Sequence, residues 1–446
     1  MSPRDHNDAW REDPEAARRD DDNAEVFKPE VIEFPIDRKA GNGNGNGKSP
    51  EDDWRKLLIT NKSGAPKSQL ANALTALRQA PEWQSVLAYD EFALVTMQMK
   101  PPPWLKHEDN NWTPKHWTDR DDALTADWLQ HQGIGVNVNT AATAAETAAK
   151  DASFHPIKQY LTGLKWDGNK RVESFATTYL GADASPYHRA VSQSMLVAGV
   201  ARIMRPGCKV DSVPILEGPQ GKGKSSAIEA LFAPFFSDDL AELGSKDAAM
   251  QIRCAWGIEI AELASMSRAE IEKVKAFISR RVDRFRPSYG RRVIEVPRQS
   301  VLFGTTNSDA YLKDETGGRR FWPIRCAGKI NIAAIESDRD QLWAEAVSLF
   351  NAGTPWWLTD AAVIVSANQA QADRYVGDPW EATIAQFLQL QETVSIDDVL
   401  LSLGIERGRW GQAEQNRVAR CLKSLHWESY RPAQPPRTRR YRRRPD

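Results

Sequence analysis

The chain has 446 residues, 59 Lys and Arg against 60 Asp and Glu, and a formal net charge of -1. Its length allows roughly two to four domains with ample buried core, and the near-zero balance excludes both a wholly basic nucleic-acid coat protein and an acidic disordered one. Charge is segregated all the same: the last 16 residues hold seven Arg and one Asp, while the first 50 hold 12 acidic against eight basic residues.

Residues 1–50 are polar and end in GNGNGNGKSP, a Gly/Asn repeat with nothing to bury, so a disordered lead is expected. Residues 51–150 read as an accessory α+β region. Leu70, Leu74 and Leu77 have helical spacing, PEWQSVLAYDEFALVTM is strand-rich, and helices follow in DDALTADWLQHQ and near 139–150. No catalytic constellation appears there.

Residues 151–360 change character. The helices HPIKQYLTGLKWDG and YHRAVSQSMLVAGVARIM precede the short apolar runs Val213–Leu216, Cys254–Ala261, Val301–Phe303 and Phe321–Ile324. Such runs, separated by helical patterns, predict a parallel sheet buried on both faces. Residues 378–446 predict three helices and a basic hairpin, the outline of a winged helix-turn-helix. The first helix covers Trp380–Leu388, Ser395 to Asp398 form a capping box before the second, and the third carries Val418, Cys421, Leu422 and Leu425.

The four cysteines (Cys208, Cys254, Cys326, Cys421) form no C-x-x-C pair and the seven histidines are scattered, which argues against a zinc site or disulfide framework. No apolar run approaches the roughly 18 to 20 residues that span a bilayer, and the N-terminus lacks the apolar core of a secretory signal. A cytoplasmic protein without a membrane partner is expected.

The sharpest motif runs from Gly218 through Pro219, Gln220, Gly221, Lys222, Gly223 and Lys224 to Ser225, satisfying G-x-x-x-x-G-K-[ST], with Ser226 opening the following helix. It follows the apolar strand that such a loop requires. Its glycines let backbone N–H groups surround phosphate oxygens, and the helix N-terminus adds positive potential. Lys224 is expected to reach the β- and γ-phosphates of ATP, and Ser225 to ligate Mg²⁺. The acid comes from CAWGIEIAEL: Glu262 follows the run and would emerge at the carboxyl end of the sheet, where such folds bind ligands. Glu259 falls inside the run, where an unpaired carboxylate is costly. Glu262 is therefore the expected metal ligand and water-polarising acid, with Glu259 as a supporting or alternative acid.

Asn307 ends the next strand and could orient the attacking water. TGGRRFWPI then presents Arg319 and Arg320 on a Gly-flexible loop, and either suits a charge donated to a neighbouring subunit's phosphate. Between the acidic strand and Asn307, Lys275 leads to a hairpin with Arg284, Arg286, Arg291 and Arg292 around its tip and Tyr289 for stacking. Cations with an interleaved aromatic are what single-stranded nucleic acid requires. Arg417, Arg420 and Lys423 lie on a flank of the last helix, before the tail RTRRYRRR, as a second DNA-binding element.

The order GPQGKGKSS, WGIEIAEL, VKAFISRRVDRFRPSYGR, FGTTN and DETGGRRFWPI resembles the virulence-associated E family of prophage and mobile-element P-loop ATPases, related to superfamily-three helicases of the AAA+ class. The likeness spans roughly 150 to 360. It implies an α/β fold with an AAA+-type parallel-sheet core, an N-terminal α+β region and a C-terminal winged helix. It further implies a homo-oligomeric ring, a hexamer, with the hairpin lining the pore and single-stranded DNA as partner. By motif position Lys224 and Ser225 belong to the Walker A loop, Glu262 to Walker B, Asn307 to sensor 1 and Arg319 or Arg320 to the trans finger. The two glutamates stand three apart where the family usually has an adjacent acidic pair. Relatives often carry a primase module; none is legible here, so a separate primase partner is possible. The expected function is an ATP-dependent DNA helicase or translocase of a phage or prophage replication system in the bacterial host cytoplasm. Its rivals are an ATP-regulated origin-binding or regulatory protein without strand displacement, and a P-loop small-molecule kinase.

Overall fold

The computed structural model describes residues 54–105, 112–239, 252–286, 292–312, 318–432 and 438–443. The expected disordered lead and the hairpin-tip residues Tyr289 and Arg291 lie outside them.

In the N-terminal region, helix α1 (Leu70–Gln79) is followed by strands β1 (Leu87–Asp90), β2 (Val95–Gln98) and β3 (Lys115–His116). Helices α2 (Asp119–His131) and α3 (Val138–Lys150) and strand β4 (Ser153–Phe154) complete it. The sheet order is β3-β2-β1-β4, with β4 parallel to β1. Helix α3 buries Ala141, Ala144, Ala145 and Ala148 on one face, and these small side chains let α1 and α2 approach closely. Tryptophans fill the rest of this core: Trp83 meets Trp104 at 5.7 Å and Trp128 at 5.6 Å between ring centroids.

Helices α4 (Pro156–Gly163), α5 (Phe175–Thr178) and α6 (Pro186–Met204) lead into strand β5 (Val213–Glu217) and helix α7 (Lys224–Phe232). Strands β6 (Phe236–Ser237) and β7 (Gly257–Ile260), helix α8 (Arg268–Ile278) and the strand pair β8 (Val282–Phe285) and β9 (Ile294–Pro297) come next. Strands β10 (Val301–Thr306) and β11 (Phe321–Arg325) and helix α9 (Ile332–Asn351) close the unit. The five strands order β11-β5-β10-β7-β6, and every pairing is parallel. All residues of β5, β7 and β10 are buried, as expected of strands covered on both faces. Ile271, Val274, Phe277 and Ile278 of α8 pack in one hydrophobic cluster with Val213, Ile215, Ile258, Ile260 and Leu302. A second cluster combines α6, α7 and α9, where Trp256 and Trp343 stand 4.2 Å apart. Gly199 on α6 makes room for them, since a Cβ there would fall 2.9 Å from the Trp343 ring.

The β8–β9 pair is antiparallel and inserted between β7 and β10. Its base is held by a buried ion pair: Arg298 Nε and Nη2 donate to the two oxygens of Asp283 at 2.9 and 2.6 Å, and Nη1 donates to the Phe277 carbonyl at the end of α8. Arg298 is 2% exposed and Asp283 5%. Asp283→Asn leaves the guanidinium buried without its counter-charge and is expected to cost about 3–5 kcal/mol, measured as a lowered unfolding midpoint of the full chain. The double variant Asp283→Leu/Arg298→Met is expected to recover most of that loss; equal destabilisation by both variants would show that the pair's charge is not what matters.

Helix α10 (Ala361–Ala372) packs on β11, with Gln371 Nε2 donating to the Phe321 carbonyl at 2.9 Å. Helix α11 (Pro379–Leu388), strand β12 (Thr393–Val394), helices α12 (Ile396–Ser402) and α13 (Gln412–Ser424), and strands β13 (Trp427–Tyr430) and β14 (Arg440–Arg443) follow. The three strands order β12-β14-β13, all antiparallel. Ser395 and Asp398 form a reciprocal capping box at the start of α12. Val418, Cys421 and Leu422 face a core of Ile384, Leu388, Val399, Leu400, Trp427 and Tyr441. Among the described residues no helix is long and apolar enough to cross a membrane.

Candidate functional site

The loop from Gly218 to Gly223 joins the carboxyl end of β5 to the first turn of α7. Three of its glycines have positive φ: 147° at Gly218, 78° at Gly221 and 83° at Gly223. At Gly218 the conformation and the space agree, because a Cβ would lie 3.2 Å from the Cys326 carbonyl. Lys222 fixes the loop from outside, its Nζ donating to the Ala327 carbonyl at 2.8 Å and reaching those of Cys326 and Gly328 at 3.4 Å. Its side chain is thus turned onto the segment after β11.

Lys224 folds back over the loop and is 7% exposed. Its Nζ donates to the carbonyls of Gly218 (2.7 Å) and Pro219 (2.9 Å) and to Asn307 Oδ1 (2.9 Å). All three partners are neutral oxygens, so the ammonium carries an uncompensated charge beside a helix N-terminus. Burial lowers its pKa below the ordinary lysine value, against the opposing pull of Cys326 and Glu259. An anion seated there would reverse that penalty.

Ser225 Oγ donates to Glu259 Oε1 at 2.8 Å, and Thr305 Oγ1 donates to the same oxygen at 2.5 Å. The parallel register β10–β7 sets Phe303 opposite Glu259, and Thr305 lies two residues on, on the same face. Glu259 is 2% exposed, and its Oε2 is buried without a hydrogen-bond partner. A buried carboxylate oxygen left open beside a serine hydroxyl fits Mg²⁺, which takes hard oxygen ligands and is held by one or two carboxylates plus substrate phosphates. Among the described residues no group of three or more His, Cys, Asp or Glu could hold a metal alone, so a cation here would need oxygens from a ligand or water.

Glu262 stands apart from this cluster. It is exposed, has a left-handed φ of 52°, and its carbonyl accepts from Ser265 N and Oγ, both at 2.9 Å. The acid that the structure brings to Ser225 is therefore Glu259, and the strand-interior burial that counted against it is offset by two hydroxyl donors. Arg319 is exposed; Arg320 is half-buried, its Nε donating to Ser279 Oγ at 3.3 Å. Neither touches Lys224, Ser225, Glu259 or Asn307 among the described residues.

Behind the loop lies a buried network that the motif gives no sign of. Glu217, the last residue of β5, accepts two hydrogen bonds from Arg374, both at 2.8 Å, and one from the Tyr311 hydroxyl at 2.8 Å. Burial, then the Glu217 carboxylate, pushes the Tyr311 hydroxyl pKa well above the usual tyrosine range. Tyr311 N and Leu312 N both donate to the Arg374 carbonyl at 3.0 Å, and Val376 N donates to that of Leu312 at 2.8 Å. The segment after Asn307 is thereby tied to the chain leaving α10.

The residues expected to face nucleic acid divide. Arg284, Arg286 and Arg292 are exposed on the hairpin, Arg284 pairing across the strands with Glu295 at 2.9 Å. Lys275 does not face solvent: it is 5% exposed and its Nζ meets Glu272 at 3.0 Å. Arg417 is also engaged, bidentate to Asp378 with contacts of 2.8 Å and stacked 3.8 Å over the Trp380 ring. It clamps α13 to the start of α11. Arg420 and Lys423, about one and two turns further along, are exposed.

No curated protein matches the chain. Among solved structures it is similar to the apo structure of the NrS-1 C terminal region (305-718), at 10% identity and a TM-score of 0.41 over 80% of this chain and 95% of that one. A second, the A form apo structure of the same region, gives 11%, 0.40, 80% and 96%. Residues 161–375 match the family model of the virulence-associated protein E-like domain, and that stretch holds Lys224, Ser225, Glu259, Thr305 and Asn307.

Proposed function

We propose that residues 151–360 are an AAA+-type P-loop ATPase that moves single-stranded DNA in a phage or prophage replication system. In this reading ATP and Mg²⁺ bind at the interfaces of a homo-oligomeric ring, and residues 378–446 form a winged helix. The observation that carries it is the hydrogen bond from the Lys224 ammonium to Asn307, just after β10, at 2.9 Å, with the adjoining Ser225 bonded to Glu259 of β7. The strand order supports it as well. With β10 between β5 and β7, the amide of Asn307 falls between the loop lysine and the acid.

Bound Mg²⁺ would neutralise phosphate charge and polarise the bond to be broken. Around it the chain's own groups have separable tasks. The loop N–H groups and the α7 N-terminus hold the phosphates, and Lys224 balances the charge that grows on them as the terminal phosphate leaves. Glu259 orients Ser225 and offers Oε2 to the cation. Glu262, exposed at the end of β7, takes a proton from the attacking water, and Asn307 orients that water. Arg319 completes the neighbouring subunit's site. The hairpin, rigidly based on Arg298 and Asp283 and inserted between the acidic and Asn307 strands, transmits the change to DNA.

The test is steady-state ATP hydrolysis by the full chain with and without single-stranded DNA, for wild type and Lys224→Ala. Turnover stimulated by DNA and lost in the variant is expected, and Arg292→Glu should remove the stimulation while sparing basal turnover. Lys224-dependent hydrolysis indifferent to nucleic acid would overturn the motor and favour a small-molecule kinase or a regulatory ATPase.

A further inference from the structure

A wide cleft among the described residues lies away from Lys224. It lies between α10 and α13, has a volume of about 1190 Å³, and is walled by Asn368 on α10 and by Asn416, Arg420 and Lys423 on α13, with Arg439 just before β14. We propose that this cleft holds a short run of single-stranded nucleic acid by its phosphates.

Charge is the first support. Arg420 and Lys423 are exposed and make no hydrogen bond or ion pair among the described residues, whereas Arg417, on the same helix, is consumed by Asp378. Among the described residues lining the cleft Glu428 is the one carboxylate, and Arg442 neutralises it at 2.8 Å. Cations in a cleft focus field and draw a polyanion. Size and placement are the second support. The volume exceeds the roughly 300–1,000 Å³ of small-ligand pockets. A duplex would need the polar face of α13 free to enter a major groove about 12 Å wide, but Asn416, Arg420 and Lys423 of that face line a cleft shared with Asn368 of α10. A single strand needs only a basic groove with a stacking surface, and Tyr375 and His426 lie in the lining.

The floor of the cleft gives the site a further consequence. Leu312 and Tyr375 belong to the two segments bridged to each other, one running back to Asn307 and the other beginning at Arg374, the partner of Glu217. A strand in the cleft and a nucleotide at Lys224 therefore press on one connected element, so each should tighten the other reciprocally. This coupling rests on the ATPase reading; the binding itself does not.

The experiment is fluorescence anisotropy of a labelled DNA strand of about 20 nucleotides with the full chain, without nucleotide, across a salt series. For Arg420→Glu/Lys423→Glu we expect affinity to fall at least about tenfold and the slope of log K against log salt to shrink by about 0.7 for each phosphate contact removed. Asn368→Glu, on the opposite wall, should weaken binding too. Unchanged affinity and slope in the α13 variant would overturn the site, and an effect confined to α13 would put the strand on its outer surface instead. Displacement by duplex as readily as by unlabelled strand would overturn the single-strand assignment, and displacement by free ATP would make the occupant a nucleotide. A failed ATPase assay with intact salt-dependent binding would sink the motor and leave the cleft standing.

Discussion

Mixing two inactive variants, Lys224→Ala and Arg319→Ala, is expected to restore ATP turnover that neither shows alone. Arg319 is chosen over Arg320 on its surroundings. Arg320 is half-buried and bonded to Ser279 at the end of α8, while Arg319 is exposed at the turn before β11. Neither reaches its own chain's Lys224 cluster, so a role in phosphate chemistry requires the arginine to act on another copy. An arginine finger supplied in trans is worth about 10³–10⁵ in kcat, and Arg319→Ala should lose that much. In a head-to-tail ring each site takes its lysine from one subunit and its finger from the next. A one-to-one mixture then assembles about a quarter of its interfaces with both groups intact, and turnover should rise to roughly that share of wild type. A mixture as inactive as its components would mean that the arginine works within its own chain or that no ring forms. Complementation by Arg320→Ala instead would transfer the role to Arg320.

Much of the architecture was legible because burial writes a period into the chain. The four apolar runs became β5, β7, β10 and β11 of one parallel sheet, and Val418, Cys421 and Leu422 fell on the buried face of α13. What escaped depends on partners distant in sequence. Arg417 looks like a free cation on a helix flank until Asp378, 39 residues earlier, is folded against it. Glu217 reads as an ordinary strand end, and its exchange with Arg374 spans 157 residues. Lys275 is a different case, since the signal was local. Ile271, Val274, Lys275 and Ile278 occupy i, i+3, i+4 and i+7 of α8, so the lysine shares the apolar stripe and its stem is buried while Nζ reaches back to Glu272. The Glu259 environment needed two strands and a helix together. Only the register that sets Thr305 on the glutamate's face, with Ser225 above it, makes a carboxylate tolerable inside β7.

That environment separates the two glutamates experimentally. Glu262→Gln removes the exposed acid at the strand end and should lower kcat by about 10²–10⁴, the range for a lost general base, while ATP binding and its Mg²⁺ dependence stay as in wild type. Glu259→Gln acts elsewhere. The amide keeps the shape but cannot accept from both Ser225 and Thr305 and still present an anionic oxygen to a cation. One of its atoms becomes a donor, aimed either at a hydroxyl or into the site. The serine loses its orientation, and the Mg²⁺ concentration for half-maximal turnover should rise about 10–100-fold, as for groups that orient metal ligands. Titrating Mg²⁺ at saturating ATP for both variants reads the difference directly. A shift for Glu262→Gln with none for Glu259→Gln would return the metal to the acid beyond the strand, and would require the loop after Ile260 to leave its left-handed turn when nucleotide binds.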